Sequence, residues 1–539
     1  MKRVVVAVCA AVLLSSLAAL NGASATPQAR VAFTPTLTAW AACTGGSLQC
    51  STLTVPLDYA HPDDGRTVRL AVTMAAADPS AGPYAGMMLT NPGGPGGSGT
   101  FMPVLQAFVP GDAAKRYDWI GFDPRGVGRS TPSLHCNAHY FGVNRPNFVP
   151  KTRRLMTFWL TRTSRYAARC GASTAKALLP YMTTRDTVRD MENLRLAYYA
   201  ANPGKRPKLT KLNYYGYSYG TWLGQVYAYT YPTQVGRFVL DGVVDPSTYW
   251  YRSNLRQDVG FDRNLNIFFR WVARHRGVFH LGSDWRRIRR GFNAELVRLD
   301  RHPAASKRLG PDELGDAMLG AAYDARNWSS TASAYSRLIR TGRGAEMFRL
   351  YAESSMGDDN GYAVYNAVQC TDARRPTWAT QKRDTWRIHE NDPYMAWNNT
   401  WYNAPCLRWP APSRSPVHPN GSSVTAKILL INETLDAATP YSGALTMRDR
   451  FPSASLIAGV GGITHAGSLS GVSCVDNRIA AYLDTGVVPT RQAGRRSDLN
   501  CPRIPPSGAR TAARSTGASA GLPASVRALL WRAQRPSLG

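Results

Sequence analysis

The chain has 539 residues and a formal net charge of +29, from 64 Lys and Arg against 35 Asp and Glu. That length accommodates one large domain with an insertion, or two to three domains. The basic excess suits an anionic partner, but the arginines are spread along the chain and no nucleic-acid reader motif occurs, so no specific nucleic acid is expected, and attraction to an anionic cell envelope or mere solubility is the simpler reading.

Residues 1–25 read as an export signal. Lys2 and Arg3 open it, 4–20 is apolar, and Ala23-Ser24-Ala25 is a small-residue cleavage site. The apolar run is short and ends at Asn21-Gly22, and no later stretch is long and apolar enough to span a bilayer. A secreted chain cut after Ala25 is the expectation. Of nine cysteines, Cys9 falls in the leader, too early to carry a lipid, and an even set of eight remains. Such a set in an exported chain implies disulfides, and although eight cysteines allow 105 pairings, joining sequence neighbours is simplest. That gives Cys43–Cys50, Cys136–Cys170, Cys370–Cys406 and Cys474–Cys501. No C-x-x-C and no His cluster accompanies them, so neither zinc nor another metal or cofactor is expected.

After a polar lead-in over 26–38, residues 51–59 and 67–77 alternate apolar and polar and flank His61-Pro62-Asp63-Asp64-Gly65, which reads as a hairpin at a sheet edge. The short apolar strand 86–90 (GMMLT) runs into Asn91-Pro92-Gly93-Gly94-Pro95-Gly96-Gly97-Ser98-Gly99, with a helical pattern after it. A linker rarely abuts a buried strand in this way, and the ending of a phosphate loop is missing. So many glycines imply a backbone that approaches something closely and presents its N–H groups. A strand at 117–122 is followed by the tight turn DPRGVGRS, and 184–201 carries helical periodicity. Next comes KLNYYGYSYG, in which Ser218 has a glycine two residues away on each side, then the helix-compatible TWLGQVYAYT. A bare G-x-S-x-G arises by chance in a chain with 47 glycines. Between a strand and a helix, however, it describes a sharp turn that exposes a nucleophilic hydroxyl at a helix N-terminus. A strand at 236–244 follows.

Alternating strands and helices from 86 to 244 predict a parallel sheet with helices on both faces. The rhythm lapses between 245 and about 420, where helices are expected at 264–274, 285–299 and 333–355. It resumes with strands at 426–432 and 453–460 and a helix at 475–483. The organisation expected is a core over 40–245, a helical cap over 246–420, the rest of the core over 421–505, and an unstructured basic tail over 506–539. Within that tail, 526–533 has the composition of a short helix of no evident use.

An activated serine needs a general base, and the base needs an orienting carboxylate. On an open α/β sheet of this kind the chain order is Ser, acid, His. His465, in GGITHAG, is the histidine that follows the last core strand, and its small neighbours leave room for the ring. The acid expected is Asp436, in NETLDAATP just past a strand, with Thr439 placed to hydrogen-bond its carboxylate; an alternative use of Asp436 is to cap the helix beginning at Pro440. Its rivals are Asp241 or Asp245 at the preceding strand end, and Glu433 one turn earlier. The oxyanion hole would draw one N–H from Tyr219, after the nucleophile, and one from Gly94. Tyr217 and Tyr219 make the turn bulky, and Tyr219 is expected to wall the pocket as well.

The set NPGGPGGSG, GFDPRGVGRS, GYSYG, LDGVVDP, TLDAATP and a late histidine, with SCVDNRIAAYLDTGVVP and Cys501 beyond, resembles the tripeptidyl aminopeptidase branch of the α/β-hydrolase serine peptidases, relatives of proline iminopeptidase. The resemblance covers roughly residues 40–505. It implies an α/β-hydrolase fold with a mostly helical cap, and a secreted exopeptidase that removes short peptides, tripeptides in particular, from free N-termini. By motif match, Ser218, Asp436 and His465 take the triad roles and Gly94 with Tyr219 the oxyanion hole. The family often has Gly-His-Gly around the base, where this chain has Thr464-His465-Ala466. For the substrate ammonium, Asp372, Glu353, Asp358 and Asp359 are candidates within the insertion. Two other readings fit the same residues: an esterase or lipase, because a triad does not distinguish amide from ester, and a non-catalytic basic protein that binds the cell envelope.

Overall fold

The computed structural model describes residues 33–44, 46–205, 210–248, 250–357, 359–508 and 521–534. The expected signal segment 1–25 lies outside the described residues, as does Asp358. The strands are β1 (Thr36–Leu37), β2 (Ala41–Ala42), β3 (Gln49–Pro56), β4 (Thr67–Ala75), β5 (Gly86–Asn91), β6 (Tyr117–Phe122), β7 (Leu212–Tyr217), β8 (Val235–Asp241), β9 (Ile428–Glu433), β10 (Ala454–Val460) and β11 (Leu499–Pro502). They form one sheet in the order β1-β3-β4-β6-β5-β7-β8-β9-β10-β11, with β2 paired to β3. Pairing is antiparallel from β1 to the β4–β6 contact and parallel from β6 to β11.

Alternate residues of the central strands feed two separate cores. Tyr214, Phe238, Leu240, Ile428 and Leu430 pack with the helices Thr184–Ala201, Tyr219–Thr230 and Tyr441–Arg450. Their neighbours Tyr215, Tyr217, Val239, Leu429 and Ile431 pack with Leu105 and with the helix Ser473–Thr485. Both faces are dry, which is why these strands are apolar throughout and not alternating. This is the α/β-hydrolase architecture, with a helical insertion between β8 and β9.

The insertion has its own apolar centre. The helix Tyr251–Arg274 buries Leu265, Phe268, Phe269 and Val272 against Phe292, Leu314, Met318 and Tyr335 from later helices. The single helix expected over 333–355 is instead two, Trp328–Thr341 and Ala345–Ser355. Gly342, at φ 71°, ends the first with a left-handed cap, a conformation that glycine adopts without a Cβ clash.

All four neighbouring cysteine pairs are bonded: Cys43–Cys50, Cys136–Cys170, Cys370–Cys406 and Cys474–Cys501. The last clips β11, a four-residue strand without a periodic signature of its own, beside the helix Ser473–Thr485. No described helix is long and apolar enough to cross a membrane. The reading of 506–539 as an unstructured tail is corrected over 521–534. Residues Ala524–Gln534 form a helix there, and Leu522, Leu530 and Ala533 are buried. Val526 and Leu530 share one helical face, and Leu522, just before the helix, docks on the same side. Val526 and the buried Leu522 and Leu530 join the core cluster on the Leu105 side of the sheet.

Candidate active site

Ser218 sits between the end of β7 and the start of the helix Tyr219–Thr230, at φ 54° and ψ −124°. A left-handed φ on a serine is strained by about 1–3 kcal/mol and persists only where the surroundings enforce it. Here they do. A Cβ on Gly216 would lie 2.6 Å from the Tyr214 ring and 2.7 Å from the Gly220 carbonyl, and one on Gly220 would lie 2.6 Å from the Asn91 carbonyl. The Ser218 N–H donates to the Asp241 carbonyl at 2.9 Å, tying the turn to β8. The glycine loop lies directly against it. A Cβ on Gly93 would meet the Tyr217 carbonyl at 2.6 Å and Ser218 Cβ at 2.8 Å.

His465 stands on the loop after β10 and is buried. Its Nδ1 is 2.8 Å from Asp436 Oδ2 and 3.2 Å from the Thr439 hydroxyl, and that hydroxyl donates to Asp436 Oδ2 at 2.8 Å. The remaining oxygen, Asp436 Oδ1, accepts the N–H groups of Ala438 and Thr439 at 2.8 and 3.0 Å. Facing a carboxylate, Nδ1 carries the proton and leaves Nε2 as the basic nitrogen. Nε2 is buried and has no hydrogen-bond partner on the protein. Gly242 makes room for the ring, since a Cβ there would approach His465 Cε1 to 2.9 Å. Ala466 holds φ 49°, a left-handed position that a glycine would occupy more easily.

The rival carboxylates have other work. Glu433 accepts the Thr464 N–H at 2.5 Å and the Ile504 N–H at 2.7 Å, and burial pushes its carboxyl up to about 8. Asp241 accepts the Ser468 N–H at 2.7 Å, and burial raises it to about 6. Together they hold the histidine loop from both sides, at 464 and at 468. Asp245 lines the cavity above Ser218 and binds Arg256 at 2.6 Å and the Ser247 hydroxyl at 2.6 Å.

That cavity, about 80 Å³ in volume, is walled by Gly94, Ser218 and Tyr219 from the core and by Asn254, Phe261, Tyr323, Gln369 and Tyr402 from the insertion. Tyr219 does form a wall, its hydroxyl 2.9 Å from the Thr184 hydroxyl. Tyr217 does not, because its ring joins the core on the other face. The described candidates for receiving an ammonium, Asp372, Asp359 and Glu353, do not line this cavity. Asp372 accepts the Thr184 N–H and hydroxyl, Asp359 accepts the Cys136 and Asn137 N–H groups, and Glu353 is an exposed partner of Arg349. Among the cavity-lining residues the carboxylate is Asp245. Sequence reasoning missed Gly93, whose signal was the double glycine, and Tyr323 and Gln534, which had none because distant segments bring them to the site.

Comparison with known proteins places these features in context. The family described as TAP-like protein matches residues 392–501. A tripeptidyl aminopeptidase of Streptomyces lividans is 36% identical over 465 residues, spanning 82% of this chain and 83% of the relative. The serine protease Hip1 of Mycobacterium bovis is 30% identical over 470 residues, spanning 83% of this chain and 86% of that protein. Among solved structures, the proline iminopeptidase of Mycobacterium smegmatis aligns with 80% of this chain and 97% of its own, at 15% identity and a TM-score of 0.35.

Proposed function

We propose, from the premise that this chain belongs to the tripeptidyl aminopeptidase family and is a serine peptidase of the α/β-hydrolase fold, that it releases tripeptides from free N-termini through an acyl-enzyme on Ser218. The observation that carries the reading is the state of His465: Nδ1 is engaged by Asp436, while Nε2 is buried without a protein partner on a ring packed against Gly242, next in the chain to the Asp241 carbonyl that holds the Ser218 N–H.

In this mechanism His465 Nε2 takes the Ser218 proton as Oγ attacks the scissile carbonyl, and Asp436 stabilises the imidazolium. The N–H groups of Gly94 and Tyr219 hold the oxyanion, and the positive end of the helix Tyr219–Thr230 adds to that field. His465 then protonates the leaving amine, and water attacks the acyl-enzyme by the reverse path. The insertion, taken as the cap over 246–420, closes the acyl side of the cleft. Asp245, at the cavity wall, is the carboxylate offered to a substrate ammonium. Residues 1–25 direct export, and the +29 charge holds the secreted enzyme near an anionic cell envelope.

The test is a set of peptides with free or acetylated N-termini, with released fragments read by mass spectrometry. Tripeptides from the free forms only are expected. Equal cleavage of both forms, or turnover of short esters alone, overturns the exopeptidase reading. Failure of Ser218 to react with a fluorophosphonate probe overturns the nucleophile and leaves a binding protein.

A further inference from the structure

The C-terminal helix Ala524–Gln534 packs beside the active site, with Gln534 lining its space. On the histidine side, the Leu522 N–H donates to the Leu469 carbonyl at 3.1 Å, and Trp531 stands edge-on to Tyr323 with ring centroids 5.3 Å apart. Tyr323 in turn faces the His465 ring at 5.7 Å and accepts the His465 N–H through its carbonyl at 2.9 Å. On the oxyanion side, the Ala533 carbonyl presses on the glycine loop. A Cβ on Gly94 would come within 3.3 Å of it, and one on Gly97 would collide with it. Gln534 lines both the Ser218 cavity and the adjoining cleft that contains His465. Its Nε2 is buried without a hydrogen-bond partner on the protein.

The space over Ser218 is about 80 Å³, walled by the core, by the insertion and, from this helix, by Gln534. Pockets that take small organic ligands run from roughly 300 to 1,000 Å³, and a tripeptide falls within that class. Some element must therefore move before substrate reaches the serine. The insertion is anchored by its own core, whereas the helix is held by a short apolar stripe, and Leu529 on it is 44% exposed. One basic side chain on it, Arg527, docks beside the Arg326–Asp324 ion pair, and burial there lowers its proton affinity.

We propose that the helix Ala524–Gln534 is a removable plug that blocks peptide entry in the resting protein and is displaced, or cut off, when the enzyme is active. This rests on the reading of Ser218 as the nucleophile. The plug reaches the chemistry from both sides, between the histidine loop and the oxyanion loop, so its departure opens the cleft without disturbing the acid–base pair.

The test compares the full chain with a variant ending at Gly508, and with the double variant Leu530→Ala/Trp531→Ala in the full chain. Two rates are followed: fluorophosphonate labelling of Ser218 and hydrolysis of an Ala-Ala-Ala amide reporter. Both should rise at least tenfold in each variant, with the melting temperature nearly unchanged. Rates that are unchanged or reduced in the double variant, with melting preserved, overturn the plug and make the helix a wall of the substrate site. The double variant decides the matter if the truncated chain does not fold. Calorimetry of tri-alanine binding in a Ser218→Ala background separates this from the mechanism. Tighter binding after helix removal supports the plug even if Ser218 proves not to be the nucleophile, and equal binding overturns it.

Discussion

Three carboxylates crowd around His465, and hydrogen bonding divides their labour. Asp436 holds Nδ1 and receives three further donors from the turn 438–439, so its charge is fixed in place for the imidazole. Asp436→Asn would present the wrong hydrogen-bonding group to Nδ1, and kcat is expected to fall about 10⁴-fold with the fold intact by circular dichroism. Glu433 is a post for the loop, and its chemistry shows in stability. Burial raises its carboxyl from 4.5 to about 8, so the folded chain holds this proton more tightly than the unfolded chain does. The associated stability is complete below about pH 4.5 and is lost as the pH rises towards 8. Melting curves between pH 5 and 8 should therefore decline more steeply for the native chain than for Glu433→Gln. Asp245→Asn should raise KM for peptides with free N-termini about tenfold while changing kcat little, because a carboxylate–ammonium contact made equally in ground and transition states acts on binding alone.

At the scale of elements, the serine turn is over-determined by backbone contact. A Cβ on Gly93 would meet the Tyr217 carbonyl, so Gly93→Ala must push the glycine loop off the turn. A loss of about 3 kcal/mol in stability is expected, together with near-complete loss of probe labelling. The edge strand β11 matters to the site in a less direct way. Cys501 clips it to Cys474, the Ile504 N–H just beyond it binds Glu433, and Glu433 holds Thr464 beside the base. Replacing both cysteines by alanine should cost about 3 kcal/mol by freeing the closed loop, and should lower kcat as well because the histidine loop loses its support. Denaturant titration and steady-state kinetics on the same preparation check both effects.

At the scale of the molecule, the +29 charge is a long-range property carried by no single patch of the sequence. Association with vesicles rich in anionic lipid is expected at low salt and should vanish as the Debye length shrinks to about 3 Å near 1 M salt. Binding that survives high salt would require a specific site in place of the diffuse field. Residues of the helical insertion, with Gln534 of the C-terminal helix, wall the space over Ser218.

The sequence by itself determined the strand–helix alternation and the serine turn with its obligatory glycines, put Ser218, Asp436 and His465 forward in that order, and made neighbour pairing the simplest of 105 cysteine arrangements. Each of these follows from local chemistry: hydrophobic period, left-handed turn positions and short loop closures. Tertiary structure alone decided the rest. It assigned Glu433 and Asp241 to hold the histidine loop, because a carboxylate's task depends on which distant N–H groups point at it. It removed Asp372, Asp359 and Glu353 from the cavity and left Asp245 there. It also placed Ala524–Gln534, of which the sequence suggests only a short helix over 526–533 in an unstructured tail, against the glycine loop and beside the Ser218 cavity. No local pattern records that contact, because the surface that receives Val526 and Leu530 is assembled from segments hundreds of residues apart.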